Sequence, residues 1–531
     1  MGTTRVVAAS LWLLQLLGQA QLSIASPLDV NAALDDCLKT AGVPTDALGT
    51  ADWSQDVAPF NLRLNYTPIA ISVPTSIKHI QDAVSCAAKL GVKANPKCGG
   101  HSYASFGLGG EDGHLILEMD RMDLVVLDNS TGIATIQGGA RLGHIAAELY
   151  AQGKRDFSHG TCPGVGVGGH VLHGGFGVSS HTQGLALDFI VGLKVVLSNS
   201  TVVDCSETEN PDLFWALRGA GASYGVVAEF KFRTFVVPEV VTYYSAAINW
   251  KQDKAADGLK AFQEFAENGM PSELNLRMFI TKDFANFEGL YWGNKTGLQA
   301  AIAPLLNKTG AKLVLAQQGT WLDQAEHFGN GMDLNQTYPY NMHETFYSSS
   351  LYTNKLTDDQ VSAFVNYWYG TGKAIKRDWY AQIDVHGGKN NAISKVAPNA
   401  TSYAHRDFLL MTSFYDRVDT GAYPADGFSF LDNFTANITG SLKPAQWGQY
   451  VNYPDPRLSQ AAAQNRYWGM HLDRLQGLKA GVDPNNVFHY PQGILPATTA
   501  VAATSSVSAS ASASAVPPSA TAPPGAPTPT P

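Results

Sequence analysis

The spacing of apolar residues predicts an alternation of helices and short strands in the first half of the chain. Between residues 77 and 90, Ile77, Ile80, Val84 and Ala88 share one face of a 3.6-residue repeat, which is typical of an amphipathic helix. Strands are predicted where β-branched and aromatic residues cluster between glycine turns. We therefore expect an α+β unit up to about residue 238. Further helical patterns occur at 30–40, 142–152 and 210–219, and strand-like runs at 114–119, 190–197 and 225–232.

The pattern changes at Pro238. Longer amphipathic segments follow, such as 253–268, and they alternate with aromatic strand-like runs at 276–280 and 379–384. We therefore predict that residues 239–445 form a second domain built on an antiparallel sheet. At 531 residues the chain is too long for one compact core, which agrees with two domains.

The two ends of the chain differ in composition from the rest. Arg5, the apolar stretch 6–17 and a cleavage site at 23–25 predict a secretory signal peptide over residues 1–25. After it, no stretch approaches 18 consecutive apolar residues, so we expect no membrane anchor. From residue 496 to 531 the chain is almost entirely Ala, Ser, Thr and Pro, which predicts a disordered tail. We expect a secreted, extracellular protein.

Charge and cysteine content narrow the possible partners. Acidic residues outnumber basic ones by 45 to 36 and no run of Lys or Arg occurs, so nucleic acid is not expected to bind. Five cysteines allow disulfides and leave at least one thiol unpaired; Cys98 and Cys205 are either buried thiols or a second bridge. Asn-X-Ser/Thr sequons agree with secretion. They begin at Asn65, Asn129, Asn199, Asn294, Asn307, Asn335, Asn399, Asn433 and Asn437.

Two segments each place one nucleophilic side chain among glycines. His101 lies in segment 98–110 and Cys162 in segment 158–170. Glycine lets backbone N–H groups approach a phosphate or a ring closely, and an imidazole or a thiolate can bond to an electrophilic ring carbon. Taken alone, His101 could be a structural histidine beside a turn and Cys162 a disulfide partner. Together they predict two covalent anchors for one cofactor ring.

Two other interpretations of this region are less favourable. Residues 164–169 satisfy Gly-x-Gly-x-x-Gly, but the polar residues 154–161 before them do not form the buried strand that a Rossmann turn requires. Several histidines crowd the region, but their spacings match no common zinc pattern. We expect no metal site. The histidines are His159, His170, His173 and His181.

The two glycine segments resemble the flavin attachment sites of glucooligosaccharide oxidases, in the berberine-bridge-enzyme-like branch of the vanillyl-alcohol-oxidase flavoproteins. The resemblance covers nearly all of residues 27–495 and includes the closing segment 483–492. It implies an α+β fold in which a two-part FAD-binding domain of the vanillyl-alcohol-oxidase type, residues 26–238 and 446–495, carries the inserted antiparallel-sheet substrate domain.

The resemblance also implies the cofactor and one crosslink. FAD is expected to be bound covalently through His101 and Cys162, and Cys37 is expected to form a disulfide with Cys86 because the resembled oxidases join the equivalent helices. The other cofactor contacts that the resemblance implies are Gly99, Gly100, Ser102, Val165, Gly166 and Gly169. A valine at position 165 is expected to permit oxygen access.

The resemblance assigns Tyr453, in segment 449–455, as the general base and Asp384 as its carboxylate partner. Without the resemblance, segment 449–455 is an ordinary aromatic strand. Substrate contacts fall on Tyr103, Gln382 and Arg277, although Tyr103 could equally be a packing residue.

The resemblance implies a secreted FAD-dependent oxidase that converts the anomeric C1 hydroxyl of reducing-end oligosaccharides to a lactone and reduces oxygen to hydrogen peroxide. Phe279 stands where an acidic substrate contact is expected and Tyr380 where a tryptophan is expected, so the preferred sugar stays open. The alternatives are a berberine-bridge-like oxidoreductase or dehydrogenase that acts on a secondary metabolite or uses another electron acceptor, and a non-catalytic carbohydrate-binding protein. We expect a monomer whose partners are an oligosaccharide and molecular oxygen.

Overall fold

A computed structural model of the protein describes residues 27–336 and 341–498. The predicted signal peptide and residues 499–531 of the predicted tail lie outside the described residues. Within the described part, no helix has both the length and the apolar character needed to cross a membrane. The α-helices are α1 (Pro27–Thr40), α2 (Ala51–Asp56), α3 (Ile77–Leu90), α4 (Leu142–Gly153), α5 (Val167–Val171), α6 (Ser180–Gln183), α7 (Pro211–Ala220), α8 (Gln252–Glu264), α9 (Lys295–Thr309), α10 (Trp321–Phe328), α11 (Asp358–Tyr367), α12 (Ala425–Thr439), α13 (Gln460–Trp468) and α14 (Leu472–Val482).

A four-stranded sheet with the order β1-β2-β4-β3 opens the fold. Its strands β2, β3 and β4 are parallel, and β1 is antiparallel to β2. Helices α1 and α3 contact each other and are joined by a disulfide between Cys37 and Cys86, with a Cα–Cα distance of 5.9 Å. The expected disulfide is therefore confirmed. The strands are β1 (Thr45–Asp46), β2 (Ala70–Ser72), β3 (Ala94–Lys97) and β4 (Leu115–Glu118).

Helix α3 shows why the sequence pattern was informative here. The side chain of Ser76 accepts a hydrogen bond from the His79 N–H at the first turn, and Gly91 ends the helix with a φ of 69°, which a residue with a side chain rarely adopts. The apolar positions Ile80 and Val84 are fully buried. The bounds predicted from periodicity are confirmed because both caps and the apolar stripe are local signals.

A five-stranded antiparallel sheet with the order β5-β6-β10-β8-β9 follows, with a short ribbon of β7 and β11 beside it. The first glycine loop, residues 98–110, follows β3. The second glycine loop, taken here as residues 158–177 and including the short helix α5, follows β7. The strands are β5 (Val125–Asp128), β6 (Ile133–Gln137), β7 (Arg155–Asp156), β8 (Ile190–Val196), β9 (Val202–Cys205), β10 (Val226–Arg233) and β11 (Phe235–Val236).

An eight-stranded antiparallel sheet with the order β15-β12-β14-β13-β17-β18-β16-β19 forms the second half. The hydrophobic core beside it contains residues of α8, α9, α11 and α12. Together with the first two sheets it confirms the predicted α+β class. The strands are β12 (Val241–Ile248), β13 (Arg277–Thr281), β14 (Ala285–Tyr291), β15 (Lys312–Gly319), β16 (Thr345–Thr353), β17 (Asp378–Val385), β18 (Leu410–Val418) and β19 (Trp447–Gly448).

Two segments that the sequence analysis discussed are not regular strands of a sheet core. The polar segment 154–161 contains no Rossmann strand, as predicted, but its residues 156–158 are buried. The Asp156 carboxylate there accepts hydrogen bonds from the Phe157 N–H at 2.8 Å and from Trp321 Nε1 at 2.6 Å. Strand β7 there has only two residues and pairs antiparallel with β11. Segment 449–455 is not a strand but a turn that follows β19, and the Tyr453 N–H donates to the Tyr450 carbonyl at 2.9 Å.

Candidate active site

The glycine loops and one face of the eight-stranded sheet enclose a cavity of about 890 Å³. Every residue predicted to bind cofactor or substrate, or to act in catalysis, lies on its wall. The cavity therefore brings together side chains from opposite ends of the sequence, including His101 and Tyr453.

The two glycine loops meet backbone to backbone. A Cβ built on Gly99 would lie 2.3 Å from the Gly166 nitrogen, and one on Gly166 would lie 2.2 Å from the Gly99 nitrogen, so neither position has room for a side chain. The buried Arg141 guanidinium donates to the Gly99 carbonyl at 3.1 Å and to the Gly164 carbonyl at 2.9 Å. These contacts fix the two loops against each other.

The loop contact brings the two candidate anchors together. The Cys162 Sγ lies 3.4 Å from the His101 Nε2, and the His101 ring stacks on Phe60 at 3.8 Å. Burial lowers the pKa of His101 to about 4, so the imidazole is neutral at pH 7 and has a nucleophilic nitrogen. Two nucleophiles at this separation can reach neighbouring positions of one ring.

The other predicted cofactor contacts are spread along the same two loops. Gly100 has a φ of 67°, and the Ser102 side chain accepts a hydrogen bond from the Phe106 N–H at 3.0 Å. Gly169 lies in the short helix α5, and a Cβ added there would meet no atom outside that helix within 4 Å, so this face of α5 borders open space. Val165 lies on the cavity wall.

The structure shows the state of the two cysteines that the sequence analysis could not assign. Cys98 and Cys205 are not disulfide-bonded. Burial raises the pKa of Cys98 to about 11 and that of Cys205 to about 12, so both are neutral thiols at pH 7. The Cys98 sulfur lies under the loop contact, 2.4 Å from a Cβ built on Gly166.

The crowded histidines have separate structural partners. His170 Nε2 accepts from the Gly160 N–H at 2.9 Å, His159 Nε2 lies 3.3 Å from the Asp156 carboxylate, and His181 Nδ1 contacts Asn391 at 2.9 Å. Across the described residues, no group of three or more His, Cys, Asp or Glu could hold a metal ion.

His173 presents an unsatisfied hydrogen-bond acceptor at the cavity wall. Its Nδ1 donates to the Gly169 carbonyl at 2.8 Å, which leaves Nε2 as an acceptor. That Nε2 is buried at the cavity wall and has no hydrogen-bond partner among the described residues. A buried acceptor without a partner is costly, so a bound group with a donor at this position would satisfy it. Together with the bare wall at Gly169 and the cavity size, this supports a flavin dinucleotide.

The sheet side of the cavity follows from strand alternation, because alternate side chains of a strand point to the same face. Arg277 lies opposite Asp384 and Phe279 lies opposite Gln382 in the β13–β17 pairing. Neighbours such as Met278 are fully buried against the helices. The polar residues of these strands therefore face the cavity.

Asp384 is the buried carboxylate of this face. Burial raises its pKa to about 6, although the charge of Arg277 and a hydrogen bond from Gln382 Nε2 at 2.8 Å both oppose the increase. Arg277 Nε also donates to Glu288 at 2.6 Å. Asp384 is thus ionised at pH 7 and neutral below about pH 6.

Tyr453 reaches the cavity from the turn after β19. Its ring is stacked 5.7 Å from the Tyr103 ring, and its carbonyl accepts from Ser350 Oγ at 2.9 Å. Burial, together with the Asp384 charge, raises the pKa of Tyr453 well above its ordinary value. The phenol is therefore protonated at neutral pH.

Sequence reasoning missed residues that hold this turn. The Tyr450 hydroxyl accepts from the Gly175 N–H at 2.9 Å, and Asn452 Nδ2 donates to the His170 carbonyl at 3.0 Å. Both bonds connect the Tyr453 turn to the second glycine loop. The motif around Tyr453 contained these residues, but their partners are about 280 positions away.

Tyr415 was also missed. It stacks on Tyr380 at 5.0 Å with nearly parallel rings, and its hydroxyl donates to Glu344. The alternation of side chains along β18 could have indicated that Tyr415 faces the cavity. Only the pairing of β17 with β18 places it beside Tyr380.

Comparisons with known proteins agree with this architecture. A family model described as FAD binding domain matches residues 68–206, and one described as berberine and berberine like matches residues 449–495. Xylooligosaccharide oxidase of Thermothelomyces thermophilus is 51% identical over 479 residues, which cover 89% of this chain and 96% of that protein.

Solved structures show the same fold. Xylooligosaccharide oxidase from Myceliophthora thermophila C1 in complex with xylobiose matches with a TM-score of 0.87 at 51% identity, covering 88% of this chain and 100% of that one. Glucooligosaccharide oxidase from Acremonium strictum, whose FAD is 6-S-cysteinyl and 8α-N1-histidyl, matches with a TM-score of 0.86 at 44% identity, covering 88% and 99%. The predicted vanillyl-alcohol-oxidase-type fold is confirmed. The chain belongs to the berberine-bridge-enzyme-like family of FAD-linked oxidoreductases, in the group that contains the carbohydrate oxidases.

Proposed function

We propose that this protein is a secreted oxidase that converts the anomeric C1 hydroxyl of reducing-end oligosaccharides to a lactone, with oxygen as the electron acceptor and hydrogen peroxide as the second product. The observation that carries the proposal is the shared cavity, whose wall holds Tyr453 and the buried carboxylate of Asp384 together with two nucleophiles suited to hold a flavin. The identity to the xylooligosaccharide oxidase, which extends over nearly the whole chain, supports the sugar class.

His101 and Cys162 would hold FAD covalently, and the glycine loops would lie along it. Their 3.4 Å separation and the 6-S-cysteinyl, 8α-N1-histidyl FAD of the glucooligosaccharide oxidase support two attachments to one ring. Bound FAD supplies two-electron chemistry, which removes a hydride from C1 and returns the electrons to oxygen. Val165 on the cavity wall would permit oxygen access.

Tyr453 would take the proton of the C1 hydroxyl. Because its pKa is raised, the phenol is neutral, so it can accept that proton only as its own proton leaves. Asp384 is ionised above about pH 6 and its charge acts on Tyr453, so it is the group that would receive the phenol proton. The sugar hydroxyl thus loses one proton and Asp384 gains one.

Tyr103, Gln382 and Arg277 would orient the sugar. Gln382 and Arg277 project from neighbouring strands beside Asp384, and Tyr103 presents a ring next to Tyr453. Amide and guanidinium donors suit sugar hydroxyls, and the ring suits the apolar face of a pyranose. The cavity therefore combines a stacking surface with donors close to the reacting position.

Secretion is proposed from the predicted signal peptide and the sequons. The disulfide between Cys37 and Cys86 supports it, since disulfides persist in oxidising compartments.

An oxygen-consumption screen of the purified, flavin-loaded protein over gluco-, cello-, xylo- and chito-oligosaccharides tests the proposal. We expect oxygen uptake with a matching yield of peroxide and of the aldonic acid formed from the lactone. Protein denatured in acid should stay yellow, with its flavin on the peptides of His101 and Cys162. Oxidation of no oligosaccharide would refute the function, and release of all FAD on denaturation would refute the attachment.

A further inference from the structure

Aromatic rings form a continuous row along the cavity wall. The row starts at Tyr453 and passes through ring pairs whose centroids are 5.0 to 6.1 Å apart. Such distances are typical of direct ring contact. The row therefore leads without interruption from the reacting position to the rim. In order, its members are Tyr453, Tyr103, Tyr415, Tyr380, Phe279 and Phe284.

The last ring, Phe284, is the exposed end of this row. Its exposed fraction is 56%, whereas Tyr415 in the middle of the row is 4% exposed. A single exposed phenylalanine needs no explanation by itself. Phe284, however, lies on the wall of the same cavity as Tyr453 and stacks against Phe279 with ring centroids 6.1 Å apart and planes 28° apart.

The backbone under Phe284 is held in place. Phe284 lies in the tight turn between β13 and β14, where the Thr281 Oγ1 accepts from the N–H groups of Asp283 and Phe284 at 3.1 and 3.0 Å. Lys282 Nζ ties the turn to the start of β17 by donating to the Lys376 carbonyl at 2.9 Å. Because the backbone is already ordered, only the Phe284 side chain loses conformational entropy when a ligand packs on its ring.

Charged groups also lie on the cavity wall at this end, and four of them form two ion pairs. Lys282 Nζ lies 2.8 Å from Asp378, and Arg417 Nη1 lies 2.7 Å from Glu344. The pairs offer hydrogen-bond donors and acceptors but little net charge. An aromatic surface with a balanced polar rim suits a neutral sugar better than an ionic ligand, since the C–H face of the sugar packs on the ring and its hydroxyls reach the rim.

We propose that Phe284, with Phe279, forms an outer subsite that binds a sugar unit of a neutral oligosaccharide remote from its reducing end. The proposal rests on the proposed function, because the reducing end must occupy the position beside Tyr453. It makes chain length a determinant of affinity, because only substrates long enough to reach the rim contact Phe284.

The test compares the flavin-loaded protein with its Phe284→Ala variant on xylo- and gluco-oligosaccharides of two to six units. We expect the variant to raise KM for the longer substrates roughly three- to tenfold, with kcat and all disaccharide constants unchanged, because stacking on one ring contributes this much. Phe284→Trp keeps an aromatic ring at this position, so its KM for the longer substrates should stay as low as that of the parent protein. Leu124→Ala is the matched control, since Leu124 is 58% exposed and does not lie on the cavity wall.

A binding measurement separates the two proposals. Oligosaccharides whose reducing end has been reduced to an alditol have no anomeric hydroxyl, so they are not substrates of the proposed reaction and calorimetry reports their binding alone. The long alditols should bind more weakly to Phe284→Ala than to the parent, by the same factor. Equal constants for parent and variant at every length would overturn the outer subsite while leaving the oxidase function intact. Failure of the parent to oxidise any oligosaccharide would overturn both.

Discussion

The two walls of the cavity are built by different physical means. The glycine-loop wall depends on the absence of side chains, because the Gly99 and Gly166 backbones approach too closely for a Cβ. The sheet wall depends on side chains that project from regular strands, such as Phe279 from β13 and Tyr380 from β17. A substitution on the first wall changes the backbone, whereas one on the second changes only the surface that a ligand meets. The first wall therefore positions the cofactor, and the second carries Asp384 together with the side chains that a substrate meets.

The most direct test of this difference between the walls adds one methyl group where the two glycine loops meet. Gly99→Ala would place its Cβ 2.3 Å from the Gly166 nitrogen. Relief requires backbone movement, at a cost of about 3 kcal/mol or more. We expect little or no flavin-loaded protein, measured by the ratio of flavin to protein absorbance and by the melting temperature.

Gly481→Ala is the matched control for that variant. Gly481 lies in α14, and a Cβ there meets no atom within 4 Å, so we expect normal flavin content and an unchanged or slightly higher melting temperature. On the other wall, Phe279→Ala should also keep full flavin content. A Gly99→Ala protein with one flavin per chain and the parent melting temperature would contradict the loop argument.

Tyr453→Phe is expected to have the largest effect on chemistry without an effect on folding. The change removes only the phenolic oxygen, and general-base help contributes roughly 10²- to 10⁴-fold to the rate. Rapid mixing with sugar in the absence of oxygen should show flavin reduction slowed by that factor. Tyr367→Phe, which removes a hydroxyl bonded to the Phe430 carbonyl at 3.0 Å away from the cavity, is the control. Near-normal reduction by Tyr453→Phe would place the base elsewhere.

The charge of Asp384 connects activity to pH. Its pKa of about 6 is raised by burial, and the ionised form is the one that can accept a proton. We therefore expect kcat/KM to be half-maximal near pH 6, to level off at higher pH and to fall toward about tenfold per pH unit at lower pH. Asp384→Asn should lower kcat/KM and remove this acidic limb. If kcat/KM of the variant still falls at low pH as in the parent, another group causes that decrease.

The ionisation of Asp384 should also make stability depend on pH, in the direction opposite to activity. Because the folded state raises the pKa of Asp384, the carboxyl contributes stability that is present below its unfolded pKa and is lost as the pH rises through about 6. Asp384→Asn should thus raise the free energy of unfolding at pH 8 on the order of 2 kcal/mol, and less at pH 5. Urea unfolding at the two pH values measures the difference.

Sequence reasoning recovered the parts of the molecule whose signals are local. Helix α3 has its caps and apolar stripe within 16 residues, and His101 and Cys162 stand out among glycines. It did not recover what depends on distant pairing. Tyr415 meets Tyr380 only through the register of β17 and β18, and one of the donors to the buried Asp156 carboxylate, Trp321 Nε1, lies 165 positions away in the sequence. Those partners are selected by the tertiary fold, which periodicity does not report.

The smallest expected effect belongs to the sheet wall and concerns which sugar is preferred. Phe279 lies opposite Gln382 on β17 and opposite Asn286 on β14, so a carboxylate at this position would stand among hydrogen-bonding groups that face the cavity. Phe279→Glu should bond a sugar hydroxyl, and sites that bond a hydroxyl discriminate more sharply than apolar ones. We expect the ratio of kcat/KM for gluco- over xylo-oligosaccharides to change roughly tenfold, with unchanged flavin content. Phe279→Leu removes the ring without adding an acceptor and should weaken both substrates alike. If Phe279→Glu leaves the ratio as it is in the parent, the side chain at 279 does not select the sugar, and specificity must come from the donors around Asp384.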